Sequence, residues 1–187
     1  MAEATSPVTI REVRIGRCWN LRGDPRNAAF IAEAGRLLAP LPLDPMTSTR
    51  RDGDALLWLG PRSWLFVTGP SSRERDFDAT RGAINAAGGA LFDVSASYVA
   101  WSIAGTRAAR VLNRDCPLDF SPSAFAAGQC AQSVLGHVNA LFYRPGSAPA
   151  FVVMIARSFA ADGWHALTSA TATEGHEEAA AVEFQAA

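Results

Sequence analysis

Lysine is absent from this 187-residue chain: all 17 of its basic residues are arginine. A phosphate loop of the Gly-x-x-x-x-Gly-Lys type is therefore excluded, and Gly-x-Gly-x-x-Gly is missing as well, so neither standard nucleotide cradle is present. Histidine is scarce too. With three in the chain, one of them in the tail, and no Gly-x-Ser-x-Gly turn, a serine-hydrolase triad has little to draw on. The three cysteines, Cys18, Cys116 and Cys130, are widely spaced, form no Cys-x-x-Cys and lie at no ligand spacing from His137, His165 or His176. They read as reduced, largely buried thiols of a cytoplasmic protein, not as a metal site or a disulfide framework. No apolar run approaches the roughly 20 residues that cross a bilayer as a helix. The opening MAEATSPVTIREVRIG shows no cationic stretch followed by an apolar core, so the expectation is no secretory signal and no membrane. Arginines are balanced by 18 acidic residues without a basic stripe, which argues against nucleic acid as a partner.

What the chain does have is apolar content, 49% of its residues, enough for a full core in one domain or two small halves. Residues 8–16 alternate as a strand should. Asp24-Pro25 reads as a helix start, with Phe30, Ile31, Ala34, Leu37 and Leu38 at helical spacing and Pro40 and Pro42 as its end. Residues 43–54 are a loop or a ragged edge strand. Leu56–Leu59 and Trp64–Thr68, joined by Gly60-Pro61-Arg62-Ser63, form a β-hairpin. A helix over 73–87 stops at Gly88-Gly89. Then ALFDV and SYVAWSI suit strands, the second with Val99, Trp101 and Ile103 on one face. Gly105-Thr106 opens a helix closed by Pro117; short strands follow over 129–135, 138–143 and 150–156. A last helix over 158–169 takes Ser158 as N-cap, and the Ala- and Glu-rich tail from Thr171 frays or forms a loose helix. The order strand, helix, strands occurs twice. The expected fold is α+β, a single domain over residues 1–172 built from two similar halves (about 8–88 and 89–170) of antiparallel or mixed sheets with packed helices, and a tail over 173–187.

Asp93-Val94-Ser95-Ala96-Ser97, set between two apolar strands, is the one place that raises the question of chemistry. A carboxylate with serine two residues on fits an Asx-type turn accepting a local backbone N–H, and this is the structural reading. Asp52 and Asp54 lie in a polar loop and read as solvated charge. The tryptophans at strand and helix spacing read as core or interface.

Asp93-Val94-Ser95, followed by Gly105 opening a helix with Val111-Leu112, resembles the start of the folate-binding domain of aminomethyltransferases. An ordered set of stretches is similar, more specifically, to the gamma subunits of heterotetrameric sarcosine oxidase. These are Cys116-Pro117-Leu118-Asp119, Phe125, Gly128, Cys130-Ala131-Gln132-Ser133, Leu135-Gly136 and Arg157-Ser158-Phe159, with Leu59-Gly60-Pro61 before Trp64-Leu65 in the first half. The resemblance spans roughly residues 20–170. It implies an aminomethyltransferase-like fold and a place beside alpha, beta and delta subunits in a complex that oxidises sarcosine with oxygen to glycine and hydrogen peroxide, passing the one-carbon unit to tetrahydrofolate. FAD, FMN and NAD belong to the alpha and beta subunits, folate to alpha, and delta is linked with zinc; the chain itself is expected to bind no cofactor and no metal.

The aminomethyltransferase pattern also carries an Asp-Asp pair after a Gly-rich turn. In this sequence the pair falls on Asn139-Ala140, and the turn is shortened to Gly136-His137. Asparagine cannot serve as the anionic partner of a cationic iminium intermediate, so no catalytic residue is assigned. The reading that follows is a non-catalytic subunit packing on alpha. The alternatives are a stand-alone folate-dependent aminomethyltransferase-like protein and a self-associating binding module. A subunit built to be covered should show an apolar patch, expected near Phe125, Phe142, Arg157 and Phe159 with Arg157 at the rim, and should dimerise when isolated.

Overall fold

The computed structural model describes residues 8–186. Its elements, in chain order, are β1 (Val8–Arg14), β2 (Arg17–Arg22), α1 (Ala28–Leu37), β3 (Ser48–Arg51), β4 (Asp54–Gly60), β5 (Ser63–Thr68), α2 (Phe77–Ala86) and β6 (Ala90–Asp93). There follow β7 (Tyr98–Ala104), α3 (Ala108–Asp115), β8 (Cys130–Leu135), β9 (Val138–Tyr143), β10 (Ala150–Ala156), α4 (Ala160–Ala170), β11 (His176–Glu178) and β12 (Val182–Glu183). The fold is α+β, as expected. The described residues divide into two compact units, one holding Ser97–Val182 with Val8–Val13, the other Arg14–Ala96 with the segment from Glu183 to Ala186. Each unit thus takes in a terminal segment that a plain cut after residue 88 would give to the other.

The unit of residues 14–96 is built on a five-stranded sheet in the order β3-β4-β5-β2-β6, every neighbouring pair antiparallel. One face carries Trp19, Leu21, Leu56, Trp64, Phe66 and Leu91, packed in one cluster with Phe30, Ala34 and Leu38 of α1 and its exit and Ile84 of α2. Phe30 explains two glycines. A Cβ at Gly23 or at Gly89 would come within 2.5 Å of its ring, so the ring lies between two stretches of bare backbone. Trp64 is buried entirely and donates its indole N–H to Pro42 O at 2.7 Å.

Two helix starts in this unit show how side chains satisfy orphan amides. The cap of α1 is Asn27, not Asp24: Asn27 Oδ1 accepts from the Ala29 and Phe30 amides at 3.0 and 3.3 Å, while its Nδ2 donates to Ala87 O at 2.9 Å beyond the end of α2. Asp24, three residues earlier, is engaged by Arg26, whose hydrogen bond holds the carboxyl at about 2. Asp76 caps α2 by accepting from Ala79 N–H, and Gly88 ends the following turn at φ +85°.

The unit of residues 97–182 centres on a sheet in the order β11-β1-β7-β10-β9-β8, with β12 also on β1. The ladders from β1 to β8 are antiparallel, and β11 joins β1 in parallel. Register places Ile103 opposite Ile10 and Phe151, and Trp101 opposite Glu12 and Val153, confirming the face assigned to Val99, Trp101 and Ile103. Helix α4 approaches this face closely. A Cβ at Gly163 would meet Ile155 Cδ1 at 2.5 Å, so only glycine fits this position of the helix without movement.

Two sequence expectations fail in this part of the chain. Ser158 lies inside a single 3-10 turn (Arg157–Phe159), and α4 begins after it with no side-chain cap. The tail does not fray: β11 and β12 pair with β1, Phe184 N–H donates to Arg14 O at 2.9 Å, and Phe184 is 3% exposed. Among the described residues no helix is long and apolar enough to cross a membrane.

Candidate functional site

The Asp93 corner is tied on every side. Asp93 Oδ1 accepts from the Ser95 amide at 2.9 Å and from the Ser95 hydroxyl at 2.5 Å. Ser95 Oγ in turn accepts from the Cys18 amide at 2.9 Å, and Val94 N–H donates to Cys18 O at the same distance. The segment is thus an Asx turn whose serine fixes the end of β6 to β2. The Ser95 proton is already held by Asp93, and the neighbouring thiol is not a nucleophile either: burial, reinforced by the negative charge of Asp93, pushes the Cys18 pKa far up. Replacing Asp93 with Asn keeps an acceptor for the Ser95 amide. The expected cost is about 1 kcal/mol or less, with turnover of an assembled complex unchanged. Urea denaturation and a rate assay check the two halves of that statement; a lost rate with an unmoved midpoint would give Asp93 a chemical role.

The turn between β8 and β9 is the second place to look. It consists of Gly136 at φ +60° and exposed His137, and Gly136 N–H donates to Asp115 O at 2.6 Å. In β9, Asn139 is exposed opposite Val134, and Ala140 is buried opposite Ser133. No carboxylate stands at either position. Among the described residues no three His, Cys, Asp or Glu side chains come together in a way that could hold a metal ion. The three cysteines are buried.

The residues expected at an exposed apolar patch separate into two pairs. Phe125 and Phe142 are 1% and 0% exposed, packed with Phe120 and Phe151 in one aromatic cluster. They are core, because the loop before β8 folds inward and β9 lies between β10 and β8 as an interior strand of its sheet. Arg157 and Phe159 do lie on the surface, in the 3-10 turn after β10; Arg157 donates to Tyr98 O at 2.9 Å, and Phe159 is 52% exposed. Two exposed large apolar residues were missed, Leu43 and Phe92. For Phe92 a signal existed. Alternation in ALFD sends Phe92 to the face opposite buried Leu91.

The family model described as "Sarcosine oxidase, gamma subunit family" matches residues 22–173. The chain belongs to that family. Among curated members of the sarcosine oxidase gamma subunits, one from Corynebacterium sp. (strain U-96) is 30% identical over 141 residues, covering 74% of this chain and 67% of the relative. Another, from Arthrobacter sp., is 27% identical over 147 residues, 78% of this chain and 71% of the relative. In structure, the chain is similar to a chain of "Heterotetrameric Sarcosine Oxidase from Corynebacterium sp. U-96 in complex with pyrrole 2-carboxylate". The TM-score is 0.78 at 28% identity, over 92% of this chain and 87% of the other. It also shares its fold with the glycine cleavage system aminomethyltransferase T from Bartonella henselae, at a TM-score of 0.67 and 12% identity over 93% of this chain and 48% of that one. The sarcosine oxidase gamma subunit fold thus corresponds to about half of the aminomethyltransferase chain.

Proposed function

We propose that the chain is the gamma subunit of a heterotetrameric sarcosine oxidase and serves it as a structural, non-catalytic component packed on the alpha subunit, alongside beta and delta. The observation that carries this reading is the agreement in fold with a chain of the heterotetrameric enzyme along nearly the full length of both. The chain's own residues support the non-catalytic part: Asn139 and Ala140 stand where the aminomethyltransferase resemblance would put a carboxylate pair, and the Asp93–Ser95 hydroxyl network is internal to a turn. Sarcosine oxidation and one-carbon transfer to tetrahydrofolate then belong to partner subunits, which hold FAD, FMN, NAD and the folate. A cytoplasmic setting fits three buried cysteines in a fold whose described residues form no disulfide. Arg157 and Phe159 are proposed as part of the surface that a partner covers, since an exposed phenylalanine beside a planar guanidinium suits an interface.

Co-expression with and without the other subunits tests this reading. The expected result is an isolated chain without visible flavin absorbance or sarcosine oxidation, and a four-subunit complex that loses stability when this chain is left out. Stoichiometric flavin on the isolated chain overturns the non-catalytic role. A complex that forms and turns over equally well without the chain overturns the structural one.

A further inference from the structure

A cavity of about 330 Å³ opens in the unit of residues 97–182, and its lining combines two tryptophans with two carboxylates. Register explains how these residues meet. Glu12 of β1 stands directly opposite Trp101 of β7, and Ile10 stands opposite Glu178 of β11, so all four project from the face on which α4 lies. From α4 comes Trp164, with its ring centroid 6.1 Å from that of Trp101 and the planes 37° apart. That spacing leaves no room for a ligand between the rings; one would lie against the outer side of the pair, chiefly on the half-buried Trp164, since Trp101 is 8% exposed. Buried Ile10 forms the floor.

The charge of the pocket is one-sided. No arginine lines it. The Glu12 side chain makes no ion pair or hydrogen bond among the described residues. Glu178 Oε1 lies 3.8 Å from His176 Nε2. An anion is therefore repelled, and a neutral apolar ligand would strip water from two carboxylates without replacing it. A hard metal ion would want more oxygens than two carboxylates and an indole wall provide. The ligand that matches both features is an organic cation, whose charge faces the carboxylates while its alkyl groups lie on the electron-rich indole faces.

We propose that this pocket binds a small organic cation of the methylated-ammonium class, one without a carboxylate of its own to oppose Glu12 and Glu178. The proposal rests on the pocket alone and stands or falls independently of the subunit role. Its test titrates the full chain with tetramethylammonium chloride, against sodium chloride at equal ionic strength, following tryptophan fluorescence and the indole N–H signals. A saturable response is expected, with tert-butanol, the neutral counterpart of similar shape, giving none. Glu12→Gln with Glu178→Gln should weaken binding by about tenfold or more. Both carboxylates are at the surface, so the doubly substituted chain should melt as the parent does. Trp164→Leu, a second route to the same site, should abolish the saturable change. Butylammonium and N-ethylguanidinium stand for lysine and arginine side chains; if either binds more tightly than tetramethylammonium, the pocket receives a protein side chain and the small-molecule assignment is overturned. A response that does not saturate, that tert-butanol reproduces, or that survives the double substitution overturns it as well.

Discussion

Replacing Asp54 with alanine is expected to destabilise the chain by about 3–5 kcal/mol, the range for removing one partner of a buried ion pair. Asp54 opens β4 and is fully buried. Its Oδ2 lies 2.7 Å from Arg75 Nη1, and its Oδ1 accepts from the Ser72 hydroxyl at 2.6 Å. Arg75 is itself only 10% exposed in its side chain and lies over the Phe66 ring at 5.1 Å. Three contacts thus pin the 69–76 segment, and with it the start of α2, onto the sheet. Without the carboxylate, the guanidinium keeps the Arg73 carbonyl and the Phe66 ring but is left largely covered with its counter-charge at that position removed. Asp54→Asn, which retains an acceptor for Ser72, should fall between parent and alanine variant. The double change Asp54→Leu with Arg75→Leu should recover much of the loss, because the isolated buried charge disappears with its partner. Urea denaturation of the four proteins checks the series. A loss under about 1 kcal/mol for Asp54→Ala would mean that water reaches the pair.

The sequence makes Asp54 a solvated charge in a polar loop whereas the structure buries it, and the reason for the difference is general. A stretch such as LDPMTSTRRDGD shows its charges, but not which of them a distant segment will meet; Arg75 lies 21 positions on and nothing local connects the two. Signals carried by neighbouring residues were legible. The hairpin of β4 and β5, the stop at Gly88, the Asx turn at Asp93 and the extents of β8, β9 and β10 all follow from local periodicity and turn chemistry. The strand Arg17–Arg22 was not foreseen: Cys18, Trp19 and Leu21 are all fully buried, so both faces are covered and the alternation that marks a half-exposed strand is blurred. Likewise the Ala- and Glu-rich tail has helical propensity, yet backbone pairing with β1 and the burial of Phe184 prevail over it. At the candidate site, the absence of a carboxylate at Asn139 and Ala140 is plain from residue types, but only the resemblance to aminomethyltransferases gives that absence a meaning. The Trp101–Trp164 pocket was not visible in the sequence, because it takes four elements to assemble.

The other large effect is expected at Phe120. Its ring centroid lies 5.3 Å from that of Phe125, 5.0 Å from Phe142 and 5.4 Å from Phe151, two of the three contacts edge-on or nearly so. Asn113 Oδ1 accepts its backbone amide at 2.9 Å, which fixes the loop that delivers the ring. Phe120→Ala should cost about 3–5 kcal/mol, since three rigid neighbours cannot collapse into the space one ring leaves. Phe159→Ala supplies the contrast. At 52% exposure it should change the free energy of unfolding by no more than about 0.5 kcal/mol, while loosening the hold of the chain on its partner subunits and any self-association of the isolated chain. Melting curves of both variants, followed by co-purification of the Phe159 variant with the other subunits, separate the two roles. Equal retention of parent and Phe159→Ala would remove this corner from the interface. A large melting loss for Phe159→Ala would instead make it part of the core, and the covered surface would have to be sought around Phe92 or Leu43, the other large apolar side chains left exposed among the described residues.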